Sequence, residues 1–137
     1  MQGRPNFSAS YRVYYEDTDA GGVVYYANYL KYMERCRTDW LAALGIDQWK
    51  LRQERNVQFA VVNLDMNYLR PAKLGDDIRV TAVLMRLTAV TFSFEQDIWR
   101  GADQLVKGNT RVACLDSLSL KPRAIPSDLF KEWRDEQ

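Results

Sequence analysis

The 137 residues carry 19 basic and 18 acidic side chains, a formal net charge of +1, and no histidine. That length suits a single domain with a real core, 1–137, and the charge balance argues against nucleic acid or an anionic membrane as the main partner. Without histidine there is no Ser-His-Asp or Cys-His arrangement and no His-ligated metal, so catalysis would fall to carboxylates and backbone amides.

Residues 1–6 are polar with no signal-like apolar core. No apolar run approaches the ~20 residues of a membrane span, which predicts a cytoplasmic protein without an integral membrane segment. Residues 7–16 contain alternation, Tyr11, Val13 and Tyr15 against Arg12, Tyr14 and Glu16, and read as a strand. Residues 17–22 are turn chemistry, with Asp17 and Asp19, preceded by Glu16, leading into Gly21-Gly22. Next, Tyr26, Tyr29, Leu30, Met33, Trp40, Leu41 and Leu44 fall on one face of a helical period, interrupted at Arg37 and stopped by Gly45. A short second helix over 47–53 has Asp47 as its cap. Cys36 and Cys114, unclustered and without a CxxC, read as buried free thiols of a reducing compartment.

From Val57 the texture changes to strands. Val57, Phe59 and Val61 alternate, then Leu64, Met66 and Tyr68 alternate in the opposite phase, so a bulge or bend is expected between Val61 and Leu64. Pro71 and Gly75-Asp76 end that run. Three further strands follow over 78–87, 91–99 and 105–116, and a short terminal helix over 127–134. The predicted order is one strand, one long helix, then four strands in a meander. The class is α+β: a five-stranded antiparallel sheet wrapped around one long central helix. The second face of that sheet is expected to stay rich in Val, Phe and Tyr and to need a partner. The eight Tyr, five Phe and four Trp fit a wide core or a large subunit contact.

Helix-start N–H groups have no intrahelical partner and carry partial positive charge. A carboxylate beside such a start, on a turn whose glycines let a ligand approach the backbone, suits chemistry on a polarised carbonyl. Asp17, Thr18 and Asp19 equally suit plain capping, and the residues alone leave the two readings level.

The pattern Asp17-x-Asp19-x-x-Gly22-x-Val24-x-Tyr26-x-x-Tyr29-Leu30 resembles the signature of the 4-hydroxybenzoyl-CoA thioesterase-like hot-dog family. Arg12-Val13-Tyr14-Tyr15-Glu16, Tyr68-Leu69-Arg70-Pro71-Ala72 and Leu120-Lys121-Pro122-Arg123-Ala124-Ile125-Pro126 extend the likeness over roughly residues 9–130, toward the branch of acyl-CoA thioesterases associated with the bacterial Tol–Pal cluster. The resemblance implies a hot-dog fold, hydrolysis of an acyl-CoA thioester, Asp19 as the catalytic carboxylate and the Tyr26 backbone amide as oxyanion donor. Relatives in that branch often carry His at the Tyr26 position; the implied role there belongs to the amide. Asp19 as nucleophile and Asp19 as general base both stay open. Gly22 allows close approach of the substrate. Tyr25, Tyr29, Val57, Phe59 and Met66 are candidates for the acyl pocket. Arg70, Lys73, Lys121 and Arg123, on loops stiffened by Pro71 and Pro122, are candidates for the CoA phosphates. No metal or redox cofactor is implied, CoA being part of the substrate. A homodimer or homotetramer is expected, with acyl carrier protein as a second source of the thioester and peripheral inner-membrane association through a partner. The rival is a non-catalytic acyl-CoA or acyl-carrier-protein binding protein or scaffold linked to the cell envelope. A hot-dog dehydratase, which usually relies on histidine, fits poorly.

Overall fold

A computed structural model describes residues 7–134; the polar segment 1–6 lies outside the described residues. The elements are β1 (Phe7–Arg12), 3-10 turns at Tyr15–Asp17 and Tyr26–Asn28, α1 (Tyr29–Ala43), α2 (Gln48–Arg55), β2 (Val57–Tyr68), β3 (Asp77–Leu87), β4 (Thr91–Arg100), β5 (Asp103–Asp116) and α3 (Lys131–Arg134). The sheet is antiparallel in the order β1-β3-β4-β5-β2. Only β3, β4 and β5 form a meander. The expected four-strand meander fails at β2, which pairs with β5 at the edge, so residues 69–76 must cross the end of the sheet. They do so beside the β4–β5 hairpin, where the Leu69 N–H donates to the Leu105 carbonyl at 2.8 Å and Arg100 Nη1 donates to that of Pro71 at 3.2 Å.

The first strand stops at Arg12, short of Glu16, because Tyr15–Asp17 turns. The expected bulge is present: the β2–β5 register shifts between Val61 and Asn63, which keeps Phe59, Val61, Leu64, Met66 and Tyr68 on the face toward α1. Asp47 caps α2 through the Lys50 N–H at 3.1 Å, and Gly45 leaves α1 at φ +81°.

α1 lies on the sheet with Tyr29, Tyr32, Met33, Cys36, Trp40 and Leu41 buried. Its buried stripe is rotated from the expected one, because Tyr26 precedes the α-helix proper and is exposed, as is Leu30. Beneath it lie Ile78, Val80, Ala82 and Leu84 of β3, Phe92, Phe94 and Ile98 of β4, and Leu105, Val112 and Cys114 of β5. The closest approach is at Gly108, where an added Cβ would come within 3.1 Å of the Met33 methyl. At the far end Trp40 meets Phe94 edge-on and stacks on Phe130, with ring centroids 5.0 and 5.9 Å apart. The second face of the sheet is not the expected apolar one. Strict alternation sends Arg79, Ser93, Glu95, Asp97, Lys107, Asn109 and Arg111 outward, so the Val and Phe positions gather on the helix side.

Candidate active site

The turn before α1 is a miniature sheet. Thr18 bridges Val24, and Val23 bridges Lys73 on the crossing segment. The Asp19 N–H donates to the Val23 carbonyl at 2.9 Å and the Gly22 N–H to the Asp19 carbonyl at 3.0 Å. Such a reversal needs a left-handed residue, and Gly22 supplies φ +79°. The Gly21 N–H donates to Asp19 Oδ1 at 2.8 Å, fixing the carboxylate in an Asx turn. Asp19 is exposed, and its second oxygen has no partner among the described residues.

Asp17, two residues earlier, is the buried member of the pair at 4 % exposure. Its Oδ2 accepts the Tyr14 N–H at 2.9 Å. Tyr32 of α1 is buried with its hydroxyl beside this carboxylate but outside hydrogen-bond geometry. Burial first, and Asp17 second, push the Tyr32 hydroxyl well above the usual phenol range.

Tyr25 is extended, and Tyr26–Asn28 winds directly into α1. The Tyr25 N–H is taken by the Asp17 carbonyl at 3.3 Å, whereas the N–H groups of Tyr26 and Ala27 meet no acceptor among the described residues. A helix start with free amides therefore follows a turn carrying a free carboxylate oxygen. Beside it is a cleft of about 210 Å3 lined by Val24, Tyr26, Tyr29, Tyr68, Leu69 and Arg70. Tyr68 packs edge-on to Tyr26 at 5.5 Å and against Tyr29 at 5.7 Å. Tyr25 packs on Tyr26 at 5.1 Å. Tyr29 is buried: its hydroxyl oxygen accepts the Ala72 N–H at 2.9 Å, and burial raises its pKa.

A second cavity, about 170 Å3, opens between α1, α2 and β2 and is lined by Glu34, Arg37, Leu41, Phe59, Phe92 and Val112 among others. It explains the break in the apolar stripe. Arg37 Nη1 donates to Gln96 Oε1 at 2.9 Å, and Gln96 Nε2 donates to the Met33 carbonyl at 3.1 Å, so a polar chain runs under the helix.

The chain thus places Asp19 and Gly22 on the turn that leads into the helix start carrying Tyr25, Tyr26 and Tyr29, of which Tyr26 and Tyr29 line the cleft. Phe59 belongs to the second cavity, edge-on to Phe92 at 5.1 Å. Lys121 and Arg123 lie by the start of β2, where Arg123 Nη1 donates to the Arg55 carbonyl at 3.0 Å at the end of α2. Lys121 is exposed, and its carbonyl accepts the Asp116 N–H at 2.9 Å. The cleft lies at the other end of β2, 12 residues away. At ~3.3 Å per residue the two ends are separated by on the order of 35 Å, too far for Lys121 and Arg123 to rim this chain's own Asp19 turn. Arg70 pairs with Asp103 at 3.2 Å, whereas Lys73 stands beside Val23 without an ion pair among the described residues. Sequence reasoning missed the Gln96 partner of Arg37 and the role of Asn28, whose Nδ2 donates to the Asp17 carbonyl at 2.8 Å. An Asn three residues past Tyr25, at the entry to the helix, was the available signal.

Among the described residues no group of three or more Asp, Glu or Cys could hold a metal, and no helix is long and apolar enough to cross a membrane. Cys36 and Cys114 are free and buried. Burial pushes the Cys36 thiol up to about 12, which rules it out as a nucleophile near neutral pH.

One long helix on a five-stranded antiparallel sheet, with a carboxylate turn at its exposed start, defines a hot-dog fold. The family model described as thioesterase superfamily matches residues 21–107. The acyl-CoA thioesterase YbgC of Haemophilus influenzae is 42% identical over 123 residues, 90% of each chain. The 1,4-dihydroxy-2-naphthoyl-CoA hydrolase of Thermosynechococcus vestitus is 30% identical over 118 residues, covering 85% of this chain and 81% of that one. A probable thioesterase from Bartonella henselae superposes with a TM-score of 0.85 at 31% identity, over 89% of this chain and all of that one. The chain belongs to the thioesterase superfamily, and its chemistry is thioester hydrolysis.

Proposed function

We propose that this chain hydrolyses acyl-CoA thioesters, with Asp19 as the catalytic carboxylate and the Tyr26 N–H as oxyanion donor. One observation carries the reading: the free Tyr26 amide and the free Asp19 oxygen belong to one hydrogen-bonded unit, and its Tyr26 end lines the tyrosine-rich cleft. The thioester oxygen accepts from Tyr26 N–H, a contact that strengthens as negative charge develops. Comparable donors contribute about 2.7–4 kcal/mol to the transition state. Asp19 either attacks the carbonyl carbon, forming a mixed anhydride that water then cleaves, or takes the proton from an attacking water. In both routes the C–S bond breaks and CoA leaves as a thiolate, a leaving group good enough to need no histidine acid. No metal or redox cofactor enters.

The same reading includes a homo-oligomer formed through the free edge of β2. A second copy laid antiparallel on that edge would bring its own Lys121–Arg123 loop toward this chain's cleft, where the CoA phosphates need cations. Cytoplasmic action, recruitment to the inner membrane by a partner and use of acyl-carrier-protein thioesters are compatible extensions. Thiol release against CoA thioesters from acetyl to palmitoyl and benzoyl types tests the proposal, with Asp19→Asn in parallel. Turnover should fall about 10²–10⁴-fold in the variant, the range for loss of a positioned acid–base group. Acyl-CoA binding without thiol release from the wild type would instead favour the binding-protein reading, to which Tyr26 in place of the common His lends some support.

A further inference from the structure

Asn28 occupies the position before α1, where an Asn ordinarily turns its side-chain oxygen onto the helix N–H groups. It does not: no side-chain cap is made, and its backbone is already helical at φ −71° and ψ −18°. Its amide nitrogen points backward instead, donating to the Asp17 carbonyl at 2.8 Å. That carbonyl also receives the Tyr25 N–H at 3.3 Å. The bond therefore ties the first turn of the helix to the segment carrying the carboxylate. The spacing is symmetric, since Asn28 lies two residues after Tyr26 and Asp17 two residues before Asp19. Asp17 is itself fixed from below, its buried carboxylate accepting the Tyr14 N–H at 2.9 Å.

We infer that Asn28, bonded to the Asp17 carbonyl, is a positioning residue that sets the separation and angle between the Asp19 carboxylate and the Tyr26 amide. The inference rests on the catalytic assignment above. Two short arms hold the two groups, the Asn28 bond is the shorter of the two cross-links that meet at the Asp17 carbonyl, and neither group touches Asn28. Once the cross-link is lost, the 3.3 Å Tyr25 bond is left to hold the helix start. The Thr18–Val24 bridge is untouched, so the turn keeps its fold. Loss of the brace should therefore act on turnover rather than on substrate binding or global stability.

The test compares Asn28→Asp, Asn28→Ala and Asn28→Gln with Asp19→Asn in the full chain, reading kcat and KM with the best acyl-CoA alongside thermal melts. Asn28→Asp keeps the shape but replaces the donor with an acceptor facing a carbonyl. Its kcat is expected to fall by about 10²-fold, as a misplacement near 1 Å costs, with KM changed less than about threefold. Asn28→Ala should behave similarly, and Asn28→Gln, which retains the donor on a longer arm, should recover part of the loss. Melting should stay within a few degrees of wild type for Ala and Gln. Wild-type kcat in Asn28→Asp overturns the brace, as does a loss confined to KM, or a Gln variant no better than Ala. If Asn28→Asp and Asn28→Ala do not fold, Asn28→Gln decides instead: a loss in kcat with KM changed less than about threefold supports the brace, and unchanged kinetics or a loss confined to KM overturns it. Should Asp19→Asn retain full turnover, the catalytic assignment itself falls. A dead Asp19→Asn beside a normal Asn28→Asp removes the brace alone.

Discussion

Gly22, at φ +79°, has open space where a Cβ would go, so an alanine there meets only backbone strain. That strain is about 1–2 kcal/mol. Gly21 is the reverse case: its φ is ordinary, but an added Cβ would lie 3.3 Å from Asp19 Oδ1. Two neighbouring glycines should therefore fail differently. Gly22→Ala is expected to lower the melting temperature by several degrees. Gly21→Ala should leave the melt nearly unchanged and cost about tenfold in kcat by pushing the carboxylate a few tenths of an ångström off line. Paired melting and kinetic measurements separate the two, and equal effects on both quantities would refute the distinction. At this scale the sequence was readable in part. Its Asp-Gly composition announced a turn, and the resemblance singled out Asp19. Nothing local says that Asp17 is buried and Asp19 exposed, because that depends on Tyr14, Asn28 and Tyr32 converging on Asp17 from outside the turn.

The crossing segment 69–76 holds the site at the scale of elements. Val24 N–H donates to the Ala72 carbonyl at 2.9 Å and Leu74 N–H to the Gly22 carbonyl at 3.1 Å, so the Asp19 turn leans on this connection. The connection in turn hangs on Tyr29, whose hydroxyl oxygen is the partner of the fully buried Ala72 N–H. Tyr29→Phe strands that N–H and should cost about 1–3 kcal/mol, read by urea unfolding. The other fastening is Asp76, bonded to Arg100 Nη1 at 2.8 Å and to the Lys73 N–H at 2.8 Å. Burial alone would raise its pKa, but Arg100 and the Lys73 N–H outweigh it and the carboxyl titrates below its usual range. A depressed folded pKa gives stability that is complete above the unfolded value, near ~4, and disappears as pH falls through the folded one. The stability gap between wild type and Asp76→Asn should therefore be constant above about pH 5 and close in more acidic solution. A gap that widens on acidification would refute the sign. Periodicity revealed every strand and α1, and even the slip at Val61–Asn63. It could not place β2, because the pairing of β2 with β5 is fixed by contacts some fifty residues apart and by the path of this crossing segment.

β2 poses the question of the whole molecule. It ends the sheet with one backbone edge unpaired along 12 residues, and Val61, Val62, Leu64 and Tyr68 are 39–49 % exposed along it. A long edge of this kind, with no proline and one aspartate in its length, invites a strand from another chain. Sedimentation should find a dimer or a multiple of it; a stable monomer would remove the shared-site proposal. The sharper consequence comes from the geometry of the proposed antiparallel pair, which would set the Lys121 loop of one copy beside the cleft of the other. Lys121→Glu should then raise KM for acyl-CoA about tenfold or more in the homo-oligomer without lowering kcat, a loss expected when a phosphate contact of equal strength in ground and transition states is removed. Asp19→Asn should keep at most about 1% of wild-type turnover. When the two variants are co-expressed with different tags and the mixed species is isolated, one of the two sites combines an intact Asp19 from one chain with an intact Lys121 from its neighbour. That site should turn over with the wild-type KM. If the mixed species instead shows only the raised KM of Lys121→Glu, each chain's own Lys121 serves its own site and the shared-site proposal falls; if Lys121→Glu leaves KM unchanged in the homo-oligomer, the cations must be sought nearer the turn, at Lys73 and Arg70.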